Sequence, residues 1–110
     1  MIDIEKLKRL SNENRKKIIK MIYEGKAGHP GGSLSVIDIL TAIYEIDVDL
    51  KSNPRSRVVL SKGHAVPALY AVLCSKGIIS EEELKTFRTI NSRLQGHPYT
   101  RTIPEVDATT

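Results

Sequence analysis

All three histidines of this chain, His29, His64 and His97, directly follow a glycine. With seven glycines among 110 residues, random placement would give this pattern with a chance on the order of one in several thousand. A glycine beside an imidazole removes side-chain bulk, so the ring and the adjoining backbone can approach a bound molecule closely. A neutral imidazole donates one hydrogen bond and accepts another, which suits it to binding hydroxyl or phosphate oxygens and to moving a proton. The pattern predicts that these three residues belong to a binding or catalytic site.

The loop around His29 is expected to lead into a helix. Lys26–Ser33 contains three glycines and is predicted to be irregular, while the S-x-x-D pattern from Ser35 to Asp38 is typical of a helix cap. The start of a helix carries unpaired amides and the positive end of the helix dipole, both of which favour anions. Position therefore favours a phosphate group near His29.

The second glycine-histidine pair follows a short β-branched run. Arg57–Ser61 predicts one buried strand, which continues through Lys62 and His64 into a helix that carries Pro67 in its first turn. Ligands of open α/β sheets bind at the carboxyl ends of strands, and the helix start again favours an anion. These features also predict a phosphate-bearing ligand at His64.

Other interpretations of the same residues stay open. Each histidine could be a loop or helix-cap residue with local hydrogen bonds, and Lys62 could either pair with a phosphate or be an exposed loop lysine. A zinc site is disfavoured, because the histidines are much farther apart along the chain than local ligand pairs and Cys74 is the single cysteine. The sequence also lacks the glycine patterns of a P-loop, a dinucleotide fold and a nucleophile elbow.

Composition limits the class of protein. Hydrophobic residues make up 40% and charged residues 27%, values typical of a globular chain of the cytoplasm with no membrane partner. A net charge of +4 could suggest nucleic acid, but acidic residues interleave with the basic residues of the first predicted helix, and base-stacking aromatics are few. We therefore expect no nucleic acid partner, and we interpret Cys74 as a small buried hydrophobe.

The remaining pattern is mostly helical. Apolar spacing predicts a helix over Asp3–Glu24 that stops at Gly25, and a second capping box at Ser80 opens a short helix through Phe87. One strand cannot form a sheet by itself. The expected fold class is therefore α/β, with this chain supplying the N-terminal, mostly helical part of a parallel-sheet domain together with one clear strand.

Three segments, taken in order and spacing, closely resemble the opening of transketolases. They are Ala27–Ser33 (AGHPGGS), Arg57–Ala65 (RVVLSKGHA) and Gln95–Pro98 (QGHP), and the closing Val106–Thr110 (VDATT) extends the resemblance over almost the whole chain. The resemblance implies that residues 1–110 are part of the N-terminal diphosphate-binding domain of a longer thiamine diphosphate enzyme. Such an enzyme transfers a two-carbon ketol unit from a ketose phosphate to an aldose phosphate in carbohydrate metabolism, including the pentose phosphate pathway.

The resemblance also implies residue roles and partners. His64 would contact the cofactor diphosphate, while His29 and His97 would act catalytically beside the thiazolium ring and the sugar substrate. The Mg²⁺ ligands are expected downstream, so no metal ligand is assigned to this chain.

The family's site forms between two domains at a subunit interface. The chain should therefore be inactive alone and should need the remainder of the enzyme or a companion subunit, as a homodimer or heterotetramer. The alternatives are a deoxyxylulose-phosphate synthase and a non-catalytic assembly subunit.

Overall fold

The computed structural model describes residues 2–110, and helices are the regular structure of this range. Three longer helices, α1, α2 and α3, pack against one another, and a fourth short helix, α4, lies against α3. A 3₁₀ turn at Gly63–Ala65 leads directly into α3. The helices span Ile4–Gly25 (α1), Pro30–Ile46 (α2), Val66–Ser75 (α3) and Glu81–Leu84 (α4). Within residues 2–110, no helix is both long and apolar enough to span a bilayer.

The predicted strand at Arg57–Ser61 is wrong, and with it the α/β class with one clear strand. Residues 2–110 contain no β-strand, so the described part of the chain is all helical. A strand requires backbone hydrogen bonds to a neighbouring strand. Here the side chain of Asp107 binds the Val58 amide at 2.8 Å, and the Thr110 hydroxyl binds the Leu60 carbonyl at 2.6 Å. Residues 55–60 contain no turn, but they form no backbone hydrogen bonds of a β-sheet.

Helix α1 confirms its prediction almost to the residue. Asp3 caps it by accepting a hydrogen bond from the Lys6 amide at 3.1 Å, and the helix ends at Gly25, one residue later than expected. Lys26 follows in the left-handed conformation with φ 53°, which is a common way to end a helix. Apolar residues such as Ile18 and Met21 face the core.

Helix α2 begins earlier than the sequence suggested. It starts at Pro30, with His29 as N-cap, so its first turn contains Gly31 and Gly32, two of the three glycines that were expected to form an irregular loop. Proline at the first helical position lacks only an amide hydrogen that would have no helical partner there. The predicted cap at Ser35 and Asp38 is therefore wrong: the Ser35 hydroxyl donates to the Gly32 carbonyl within the helix, and Asp38 pairs with Arg15.

Helix α3 forms the centre of the core. Its residues Val66–Leu73 are all buried, and Pro67 lies in the first turn as predicted. Ser80 caps α4 as predicted, with its hydroxyl accepting from the Glu83 amide at 3.0 Å. The predicted end at Phe87 is wrong, because the helix ends at Leu84. Cys74, interpreted as buried, is half-buried, and burial raises the pKa of its thiol. It forms no disulfide.

A buried polar pair interrupts the packing of α1 against α2. Asn14 and Thr41 are almost fully buried, and the Asn14 amide nitrogen donates to the Thr41 hydroxyl at 3.0 Å. The Asn14 Oδ1 atom has no hydrogen-bond partner among residues 2–110. A buried polar atom without a partner costs free energy, so this pair contributes less than an apolar pair of similar size would.

We therefore expect the double substitution Asn14→Leu with Thr41→Val to raise the free energy of unfolding by about 1 kcal/mol. Thr41→Val alone should instead lower it by about 1 kcal/mol or more, because it leaves the Asn14 amide without its acceptor. Urea unfolding of the protein that contains this chain measures both. A double variant less stable than the single one would contradict the explanation.

Candidate functional site

His29 and His64 lie side by side. His29 is the N-cap of α2, and His64 is the middle residue of the 3₁₀ turn before α3. Their ring centroids are 6.0 Å apart and the rings are nearly perpendicular, at 82°. Both residues are exposed. The packing of α2 against the 3₁₀ turn thus brings together two residues that are far apart in the sequence.

The first turn of α2 packs closely against the turn that carries His64. A Cβ atom placed on Gly32 would lie 3.4 Å from the His64 Nε2 atom. The fully buried Ser33 donates from its hydroxyl to the Ala65 carbonyl at 3.3 Å. The first turn of α2 is therefore in van der Waals contact with the turn that carries His64.

His97 reaches the same place from the C-terminal part of the chain. A Cβ atom on Gly63 would lie 2.5 Å from His97 Nδ1 and 2.7 Å from the Thr110 carbonyl carbon. His97 therefore packs on the backbone immediately before His64. His64 thus lies between two neighbours, with His29 beside its ring and His97 against the preceding Gly63, although this proximity does not by itself test the role assigned to each residue.

Hydrogen bonding sets the tautomer of His97 but leaves the other two rings open. His97 Nδ1 lies 3.2 Å from the Thr110 carbonyl oxygen. A carbonyl can only accept, so Nδ1 carries the proton, and in the neutral ring Nε2 is an acceptor. His29 is the N-cap of α2, but its side chain forms no capping hydrogen bond there. The local-cap interpretation of His29 therefore has no hydrogen bond to support it.

A buried ion pair holds the C-terminal part of the chain beside the site. Asp107 accepts two hydrogen bonds from Arg55, at 2.6 and 3.1 Å, in a bidentate arrangement. It also accepts from Arg57 at 3.1 Å and from the Val58 amide at 2.8 Å. The Asp107 and Arg55 side chains are 2% and 6% exposed. Three residues beyond Asp107, Thr110 forms hydrogen bonds with Leu60 and His97. The hydrogen bonds of Asp107 to Arg55, Arg57 and Val58, which we call the Asp107 clamp, therefore hold the segment that orients His97.

The arrangement fits a phosphate-bearing ligand. The three imidazoles are exposed, and among residues 2–110 no carboxylate forms an ion pair with them. At the start of α2, a Cβ atom on Gly31 would meet nothing within 4 Å, so a bound group can approach the backbone there. Helix starts attract anions. No three His, Cys, Asp or Glu residues of the described range are grouped to hold a metal ion.

The sequence did not identify the supporting residues. Lys62 donates to the Gly32 carbonyl at 3.0 Å and to the Ser35 hydroxyl at 3.1 Å, so it is not a free surface lysine, and its ammonium group is directed at α2. Asp107 received no role, because its partners lie about fifty positions earlier in the chain. The sequence placed Lys62 beside His64, but nothing in it indicated the Gly32 contact.

Comparison with known proteins gives a consistent result. Residues 7–110 match the family described as transketolase, thiamine diphosphate binding domain. One subunit of the apulose-4-phosphate transketolase of Phocaeicola vulgatus is 41% identical over 115 residues, which cover 99% of this chain and 40% of that protein. Human transketolase is 38% identical over 100 residues, covering 86% of this chain and 16% of that protein.

Solved structures agree with the sequence relatives. Transketolase from Campylobacter jejuni superposes with a TM-score of 0.87 at 34% identity, covering 99% of this chain and 18% of that one. Transketolase from Leishmania mexicana gives a TM-score of 0.86 at 28% identity, covering 94% and 16%. The chain thus spans less than half the length of each of these relatives.

Proposed function

We propose, because this chain belongs to the family of the transketolase thiamine diphosphate-binding domain, that it forms part of the active site of a ketol-transfer enzyme. The observation that carries the proposal is that the His29 ring lies beside the His64 ring while His97 packs against Gly63, the residue before His64. The substrates are a ketose phosphate, which gives up a two-carbon unit, and an aldose phosphate, which accepts it. Sugars of the pentose phosphate pathway fit this description.

The residues divide the work according to their positions. His64, at the turn before α3, would donate a hydrogen bond to the diphosphate of thiamine diphosphate. His97 presents Nε2 as an acceptor, so it would accept a hydrogen bond or a proton from a substrate hydroxyl. His29, 6.0 Å from His64, would complete the binding of the hydroxyl groups. When bound, the cofactor supplies the electron sink for breaking and forming the carbon–carbon bond.

Completion of the site requires protein beyond these residues. Mg²⁺, which would neutralise the diphosphate, would take its ligands from outside residues 2–110. The relative from Phocaeicola vulgatus is named as one subunit of its enzyme, whereas human transketolase is a much longer chain than this one. We therefore propose that the rest of the polypeptide or a companion subunit completes the enzyme, in a homodimer or a heterotetramer. The family match favours transketolase over a deoxyxylulose-phosphate synthase.

Calorimetric titration of the assembled enzyme with thiamine diphosphate and Mg²⁺ tests the cofactor role. Removing a hydrogen bond to a charged group costs about 1.5–3 kcal/mol, so His64→Ala should weaken cofactor binding about 10- to 100-fold. His97→Ala should leave cofactor affinity within about threefold and lower kcat for ketol transfer from xylulose 5-phosphate to ribose 5-phosphate, because its proposed partner is the substrate.

Tyr23→Ala, at a side chain that is 80% exposed on α1, is the control and should change neither quantity. Cofactor binding that is insensitive to His64→Ala would remove the diphosphate role. An assembled enzyme that binds the cofactor without any ketol transfer would indicate the non-catalytic assembly subunit instead.

A further inference from the structure

Lys62 is hydrogen-bonded to α2, the helix whose N-cap is His29. Its ammonium group donates to the Gly32 carbonyl at 3.0 Å and to the Ser35 hydroxyl at 3.1 Å, and both partners belong to α2. The residue is half-buried, and no carboxylate among residues 2–110 forms an ion pair with it. Two of its three donors are therefore committed to one helix turn.

The bonds to α2 act at the point where that helix meets His64. Gly32, whose carbonyl binds Lys62, is also the residue whose Cβ position lies 3.4 Å from His64 Nε2. The Ser35 hydroxyl donates to the same Gly32 carbonyl at 3.0 Å, so Lys62, Ser35 and that carbonyl form a closed triangle of hydrogen bonds. Lys62 lies two residues before His64 in the chain. Its hydrogen bonds thus connect the segment of His64 to the helix turn that begins at His29.

We propose that Lys62 is a positioning residue, which fixes the first turn of α2 against the 3₁₀ turn and thereby sets the spacing of the His29 and His64 rings. The proposal rests on the function proposed above, because the spacing matters for activity only if both rings contact the cofactor or substrate. Charge-assisted hydrogen bonds to a carbonyl are stronger than neutral ones. A cation at this position can therefore hold the glycine-containing turn, which has few side chains of its own to pack.

The competing role for Lys62 is direct contact with the diphosphate. In that case the lysine would bind the ligand directly, and Ser35 would contribute nothing to cofactor affinity. The two roles differ in a cofactor-free measurement, because only a positioning residue restrains α2 before the cofactor binds.

The test compares Lys62→Met, Lys62→Arg, Ser35→Ala and the double variant Lys62→Met/Ser35→Ala in the assembled enzyme. The exposed Lys20→Met on α1 is the matched control. Hydrogen exchange without cofactor should show the amides of residues 34–37 exchanging at least about threefold faster in Lys62→Met, with α3 unchanged. Thiamine diphosphate affinity, measured with Mg²⁺, should fall about tenfold in Lys62→Met.

Two further results are expected. Lys62→Arg should largely restore affinity, since a guanidinium can donate to both oxygens, and Ser35→Ala should add little to Lys62→Met because both remove the same triangle. Unchanged exchange in α2 together with weakened cofactor binding would overturn positioning in favour of direct contact. Equal exchange rates and equal cofactor affinities in Lys62→Met and Lys20→Met would also overturn it. A wild-type enzyme that binds no cofactor would refute the proposed function, and the exchange rates would then decide alone whether Lys62 restrains α2.

Discussion

Replacing Gly63 with alanine is expected to abolish cofactor binding and to lower the free energy of unfolding by about 3 kcal/mol, the upper range for overpacking. The new methyl group would lie 2.5 Å from His97 Nδ1 and 2.7 Å from the Thr110 carbonyl carbon. The imidazole could rotate away, but Thr110 is held in place because its hydroxyl donates to the Leu60 carbonyl and its amide donates to the Pro98 carbonyl. Relief therefore requires moving the segment that orients His97.

Gly31→Ala provides the matched control for this substitution. Gly31 lies in the first turn of α2, and a Cβ atom there would meet nothing within 4 Å. Alanine in a helix is favoured over glycine by about 0.5–1 kcal/mol, so this variant should be at least as stable as the parent. Thermal unfolding of the full protein measures the stability of both variants, and calorimetric titration with thiamine diphosphate measures the cofactor affinity of Gly63→Ala. Near-normal stability and cofactor affinity in Gly63→Ala would show that His97 and Thr110 do not pack closely against Gly63.

Removing the Asp107 carboxylate is the second change expected to have a large effect. Asp107→Ala should lower the free energy of unfolding by about 3–5 kcal/mol, because it leaves the buried Arg55 guanidinium without its partner. It also leaves the Val58 amide without its acceptor. Since the Asp107 segment leads to Thr110, the variant should reduce kcat for ketol transfer as well as stability. Denaturant unfolding and steady-state kinetics of the assembled enzyme measure the two effects.

The exposed ion pair between Arg15 and Asp38 serves as the comparison. The Asp38 side chain is 64% exposed, and exposed pairs contribute at most about 1 kcal/mol. Asp38→Ala should therefore have a small effect on unfolding and none on kcat. A loss in Asp107→Ala no larger than in Asp38→Ala would contradict the structural role of the buried pair.

The hydrogen bonds of the Asp107 clamp also predict how the free energy of unfolding depends on pH. Burial alone would raise the pKa of Asp107, but the hydrogen bonds from Arg55, Val58 and Arg57 outweigh it and hold the pKa below its usual value. A carboxyl group with a lowered pKa in the folded state stabilises the protein above its unfolded pKa of about 3.9, and this contribution disappears as pH falls through the lower folded value. The parent should lose more stability than Asp107→Asn on acidification below about pH 4.

Local signals in the sequence predicted local structure well. The spacing of Ile4, Leu7 and Leu10, the Ser80 cap and the position of Pro67 each depend on neighbours within a turn or two. The helix starts there agree with the prediction, although α4 ends at Leu84 and does not reach the predicted Phe87. The start of α2 was wrong because three glycines suggested an irregular loop, whereas packing against His64 and Ala65 stabilises a helical turn at that place.

Contacts between distant segments account for the other differences. A β-branched run predicts a strand only if a second strand is available, and residues 2–110 supply side chains beside it instead. The repeated glycine-histidine pair is visible in the sequence, and the structure places His29 beside His64 and His97 against Gly63. Their assignment as site residues is still a prediction. Lys62 and Asp107 could not be assigned, since their partners lie 30 and 52 positions away.

The docking of the C-terminal segment against Arg55–Leu60 has a consequence for the order of folding. Its hydrogen bonds join residues 49 to 52 positions apart, and closing a loop of that length carries an entropic cost that contacts between nearby residues avoid. Helical turns can form early from such nearby contacts. His29 and His64 are 35 positions apart and His97 and Gly63 are 34 positions apart, so both approaches need long-range packing. The candidate site is therefore expected to form with the tertiary packing of the chain, after its helical turns.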